Sequence, residues 1–163
     1  GLLRPLCGEV LIDGATYQKA ERNPVYMMHQ QYSNFDWLSC IDNILIAQRD
    51  KSLRDQKDAM KALAAVGLGE YAKKWPSQLS GGMQQRLALA RTLYVKPKYL
   101  LMDEPLSALD DKTRSRMQRL IMAVHFTTKN TIIMVTHSQD EAIKMCDKII
   151  EFDMKGVTSY EPA

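Results

Sequence analysis

The chain has 163 residues, of which 45% are hydrophobic and 25% charged, and its net charge is +3. That suits one domain with a sizeable core, and the mild, dispersed positive charge gives no basic stripe of the kind that binds nucleic acid. No apolar run approaches the ~20 residues of a membrane-crossing helix, no signal peptide is visible, and Cys7, Cys40 and Cys146 form no C-x-x-C pair, so the chain reads as a soluble, cytosolic protein with reduced thiols.

In chain order, Gly1 to Pro5 reads as the end of a helix running into a turn, with nothing ahead to form that helix, so an N-terminal truncation is expected. Gly8 to Gly14 is patterned as a strand closing in an Asp-Gly turn, the start of a β-hairpin. Val25 to Gln30 is an extended apolar segment ending in polar side chains, followed by an aromatic loop with Phe35 and Trp37. From Leu38 to Gln78 the period turns helical. Ile41, Ile44, Leu45 and Ala47 mark one amphipathic helix, and Met60, Leu63, Ala64 and Val66 mark a second that ends near Gly67 and Gly69. A short helix from Glu70 to Lys74 precedes Trp75-Pro76.

Ser80-Gly81-Gly82 then opens a further helix. Ser80 is an N-cap candidate, the glycines allow close approach to the backbone, and the unpaired first-turn N–H groups suit an anion. Tyr99 to Met102 is a continuous apolar run, expected as a strand buried on both faces of a parallel sheet and ending in Asp103-Glu104-Pro105. Ligands gather at the carboxyl ends of such strands, where two adjacent carboxylates can divide metal holding from water activation. Asp111 to Phe126 carries Met117, Leu120, Ile121 and Val124 at helical spacing, and Thr131 to Thr136 is expected as another buried strand with His137 at its end. Ser138 and Glu141 form a capping-box pattern for a helix from Gln139 to Cys146, and Lys148 to Phe152 reads as a last strand before a weakly patterned tail.

LSGGMQQR, then YLLMDEP, then SALD, in this order and spacing, resembles the signature, Walker B and D-loop series of the ATP-binding cassette (ABC) ATPases, and the likeness extends over nearly the whole chain. Met83 stands where the usual LSGGQ has glutamine. The resemblance implies an α/β fold: a P-loop NTPase-like, mostly parallel sheet core, an inserted helical subdomain, and a remnant of the N-terminal antiparallel β region. Residues 1–163 would form one truncated domain, with a helical part at about 38–90 carrying the signature and a core at 91–153 carrying Walker B, D-loop and switch histidine. The phosphate-binding sequence G-x-x-x-x-G-K-S/T does not occur in these residues.

Several roles come from the resemblance alone. It assigns Asp103 and Gln30 to Mg²⁺, Gln30 also to the attacking water as a catalytic residue, Glu104 to water activation, and His137 to the γ-phosphate. Ser80, Gly81, Gly82 and Asp110 are assigned to nucleotide across a dimer interface. Gln30 is chosen over its neighbour Gln31 by counting back from Trp37, which matches a tryptophan common in the nitrate, sulfonate and taurine importers. Asp36 stands where that group usually has proline, and Thr113-Arg114 with Met117-Gln118 resembles a further pattern of that group. The implied protein hydrolyses ATP with Mg²⁺, pairs with a second nucleotide-binding subunit and drives transmembrane permease subunits from the inner face of the membrane, importing a small anion. Competing readings are a non-transport ABC ATPase acting on DNA or ribosomes, and a non-catalytic ABC fragment.

Overall fold

The computed structural model describes residues 6–16, 24–29, 34–153 and 156–162. Its centre is a parallel sheet of β1 (Val25–Met28), β2 (Tyr99–Asp103) and β3 (Thr131–Val135), ordered β1-β2-β3, with Met28, Met102 and Met134 level across it. Period-2 alternation divides the sheet into two unlike faces. Met28, Leu100 and Met102 are buried, with Tyr26, Ile132 and Met134 packed beside them. The opposite face carries Met27, Leu101 and Ile133, and Ile133 and Val135 remain 59% and 54% exposed. The expectation of strands buried on both faces is therefore corrected. The buried cluster lies on one side only, and β3 pairs with β2 alone among the described residues.

The helices α1 (Cys40–Leu45), α2 (Gln56–Ala65) and α3 (Gly81–Val95) pack on one another, and α3 also packs on β1. α3 is the hub. Leu87 through Leu93 are all buried, as expected of a helix surrounded by other elements rather than lying on a surface. The end of α2 is fixed from outside. Gly67 takes a positive φ of 75°, while the Arg86 and Arg116 side chains donate to the carbonyls of Val66 and Ala65, which have no partner within the helix. The helix expected at 70–74 is a single 3-10 turn, Gly69–Tyr71.

α4 (Asp111–Thr128) connects β2 to β3, burying Met117 and Ile121 and leaving Leu120 and Val124 half-buried. α5 (Gln139–Met145) follows β3, and β4 (Ile149–Asp153) pairs antiparallel with β5 (Gly156–Tyr160), a strand that the tail's weak pattern did not announce. Among the described residues the expected N-terminal hairpin shows a tight Asp13-Gly14 turn with a bridge from Ile12 to Ala15, and Val10 and Leu11 are exposed; its return arm runs into residues outside the described ones. No helix among the described residues is long and apolar enough to cross a membrane.

Candidate functional site

β2 ends at Asp103, and the next residue leaves the strand in a left-handed conformation. Glu104 has φ 46°, which L-residues with a Cβ rarely adopt and which recurs where a side chain must be aimed. Its N–H still donates to the Val135 carbonyl at 2.9 Å, so the ladder to β3 holds while the side chain turns away. Glu104 Oε1 lies 2.8 Å from His137 Nε2. The carboxylate is sheltered at 18% exposure, whereas the ring is 88% exposed, so the pair presents its imidazole to solvent. Parallel pairing of β2 with β3 brings these residues together from 33 positions apart, and Asp103 lies half-buried on the same sheet edge.

The turn after Glu104 is clamped from two sides. Gln85, buried in α3, donates from Nε2 to the Glu104 carbonyl at 3.2 Å and accepts from the Ala108 N–H at 3.1 Å. Ser107 adds two donors to the same Glu104 carbonyl. From the other side Arg114 donates to the Leu109 carbonyl at 2.6 Å. Asp110 caps α4 by accepting from the Thr113 N–H at 3.0 Å, and that bond holds its carboxyl below the usual range. Gln85 was not among the expected site residues. Its signal is modest: it falls on the i, i+4 stripe of Leu89, where a polar residue on a buried face needs partners.

Ser80 is the N-cap of α3, accepting from the Met83 N–H at 3.4 Å. The two glycines that follow differ. A Cβ at Gly81 would meet open space, whereas one at Gly82 would lie 3.2 Å from the Ala108 carbonyl oxygen and 3.4 Å from Leu109. The first turn of α3 thus rests directly on the turn that follows the acidic pair, with Gly81 and the cap facing outward.

The aromatic loop is built around Asn43. This buried side chain accepts from the Phe35 N–H at 2.8 Å and donates to the carbonyls of Phe35, Leu38 and Ser39. Arg91 lies 5.2 Å over the Phe35 ring, and Asn34 donates to the Gln84 carbonyl in α3. Asp36 and Trp37 project outward from this frame. Gln30 and Gln31 lie outside the described residues.

Asp103, Glu104 and His137 are thus grouped on one sheet edge, while Ser80 and Gly81 face out from the neighbouring helix. No cluster of three or more His, Cys, Asp or Glu side chains suited to a metal occurs among the described residues. A single carboxylate is nonetheless the donor set Mg²⁺ takes when phosphate oxygens and water supply the rest.

Residues 1–107 match the family model described as ABC transporter. The aliphatic sulfonates import ATP-binding protein of Zymomonas mobilis is 41% identical over 93% of this chain, and one from Agrobacterium fabrum is 45% identical over 91%. The chain spans 62% and 59% of the lengths of those relatives. A spermidine/putrescine import ATP-binding protein of Trichodesmium erythraeum is 42% identical over 91% of this chain and 40% of its own length. Among solved structures, a dimeric ATP-binding cassette in a post-hydrolysis state bound to ADP and Pi matches with TM-score 0.82 and 29% identity, covering 91% of this chain and 70% of that one.

Proposed function

Since the chain belongs to the ABC transporter family of ATPases, we propose that it is part of the ATP-binding and ATP-hydrolysing subunit of an importer, working as a pair of cassettes on transmembrane permease subunits at the inner face of the membrane. The observation that carries this reading is the 2.8 Å contact between Glu104 and His137 beside Asp103. Bound Mg-ATP supplies the transferable phosphoryl group, and Asp103, with Gln30, is the residue that would hold the cation. Glu104 takes the proton of the attacking water. Its sheltered oxygen and aimed backbone keep it oriented for that task. His137, anchored on Glu104 but exposed, reaches the γ-phosphate and stabilises charge as it develops. Ser80, Gly81 and Gly82, with Asp110, serve the nucleotide of the facing cassette, using the open first turn of α3. Residues 38–90 form the helical part of this one domain and 91–153 its core.

The proposed solute is a small anion of the sulfonate class, in keeping with the two sulfonate-importer relatives. The similarly close polyamine-importer relative indicates that cassette sequence follows solute charge only loosely, as expected if other subunits choose the solute. Phe35 and Trp37 form the surface that meets the permease.

Glu104→Gln in the assembled transporter should lower ATP turnover by at least about 100-fold while ATP binding persists. Unchanged turnover would remove Glu104 from this role. Ser80→Arg should abolish turnover by placing bulk and charge between cassettes, and normal hydrolysis by that variant would sink the signature assignment. Equilibrium binding of labelled Mg-ATP to the 163 residues alone is expected to be weak, because no G-x-x-x-x-G-K-S/T occurs among them.

A further inference from the structure

Glu141 is a buried carboxylate that the proposed chemistry does not use. Only 8% of its side chain is exposed, so it needs partners for both oxygens. The Ser138-Glu141 capping box predicted from sequence is half formed. Ser138 Oγ accepts from the Glu141 N–H at 3.3 Å, but the carboxylate turns inward instead of back to the Ser138 N–H. Oε2 accepts from the Thr136 hydroxyl at 2.8 Å, and Oε1 lies 3.6 Å from Arg114 Nε. The Ser138 N–H goes to Thr136 Oγ1 at 3.1 Å. His137 is therefore flanked on both sides by residues tied to one hydroxyl, and that hydroxyl is held by Glu141.

The other end of the network lies in the turn after the acidic pair. Arg114 donates from Nη2 to the Leu109 carbonyl and from Nη1 to Asp111, both at 2.6 Å. It is the only cation paired with Glu141 among the described residues. A continuous polar path thus runs from the Leu109 carbonyl through Arg114, Glu141 and Thr136 to the backbone around His137. Asp111 is 97% exposed and contributes little to it, so the constraint comes from Leu109 and Glu141.

We propose that Arg114 and Glu141 are positioning residues that couple the D-loop turn at Leu109 to the His137 turn. A second cassette pressing on the D-loop would then be felt at the contact between His137 and Glu104. This rests on the roles given above to Glu104 and His137, but the coupling is measurable without them. The reciprocity of linkage requires that a change at either end be read at the other.

The test is amide hydrogen exchange on the full chain. Arg114→Gln should speed exchange of amides 136–142 by about tenfold while α1 and α2 are unaffected. Thr136→Val should speed exchange at 108–114, and Thr136→Ser, which keeps the hydroxyl, should leave it as in the parent. Glu141→Gln, which retains an acceptor for Thr136 but not the charge, guards against a variant that merely fails to fold and should loosen both turns. If each change stays confined to its own side, the coupling is overturned. Turnover in the assembled transporter separates this outcome from a failure of the functional reading. Thr136→Val should lower kcat with KM for ATP unchanged. Exchange that crosses between the turns with normal kcat would uphold the coupling and overturn the role of His137.

Discussion

Glu104 is a residue whose backbone and side chain make opposite demands. Its φ of 46° costs a Cβ-bearing residue about 1 kcal/mol, while its carboxylate is the group that reaches His137. Glu104→Gly should therefore raise the thermal midpoint by a few degrees, whereas Glu104→Val should lower it, because a β-branched residue tolerates that region worst. Thermal unfolding of both variants checks this, and a destabilised glycine variant would mean that the contact with His137 outweighs the strain. Asp110 carries a pH signature. Its carboxyl is held below its usual range by the cap bond from Thr113, so the folded value lies below the unfolded one. The stabilisation is complete above the unfolded pKa and disappears as pH falls through the folded value. The melting difference between the parent and Asp110→Ala should accordingly shrink below pH about 4, and a pH-independent difference would show that the charged cap contributes nothing. Burial raises the Cys40 thiol while Cys7 is exposed, so a thiol reagent should label Cys7 at once and Cys40 only on unfolding.

Among the elements, start signals were legible and internal wiring was not. Ser80 caps the helix expected of it, because an N-cap is a local device readable from a few residues, whereas the cap role of Asp110 on α4 was not anticipated. Glu141 matched an equally local pattern, but its carboxylate went to Thr136, five residues back, and to Arg114, which lies 27 residues away on α4. Gln85 and Asn43 also eluded sequence reading: each is a polar side chain on a helix whose partners lie in a turn. Of the N-terminal hairpin, the described residues hold the Asp-Gly turn and the bridge from Ile12 to Ala15, and residues 17–23 lie outside them. The contact between α3 and the turn at Ala108 gives a paired prediction. Gly81→Ala should be neutral or stabilising by up to about 0.5 kcal/mol, since its Cβ meets open space. Gly82→Ala should destabilise by about 1–2 kcal/mol, because the Ala108 carbonyl would have to move. Denaturant unfolding of the two variants side by side decides it, and equal effects would mean that α3 does not rest on that turn.

For the molecule as a whole, the order of motifs along the chain revealed the α/β class and the grouping of Asp103, Glu104 and His137, while the openness of one sheet face was not legible. An apolar run reads alike whether one or both of its faces are covered, so Tyr99 to Met102 could not reveal it. Among the described residues β3 pairs with β2 alone, and Ile133 and Val135 within it, with Met27 on the same face, leave apolar surface exposed, a combination that favours association between chains. Sedimentation of the 163 residues should show self-association rising with concentration, and Ile133→Thr with Val135→Thr should reduce it. Concentration-independent monomers would contradict this. The loop at Phe35 behaves otherwise. Asp36 stands where proline is usual, but the Asn43 side chain, accepting one hydrogen bond and donating three, holds the loop's shape from within α1. The loop's shape and its outward side chains are therefore separate properties. Asp36 and Trp37 project outward and can change without disturbing the frame beneath them, whereas a single change at Asn43 would remove all four of the hydrogen bonds that shape the loop.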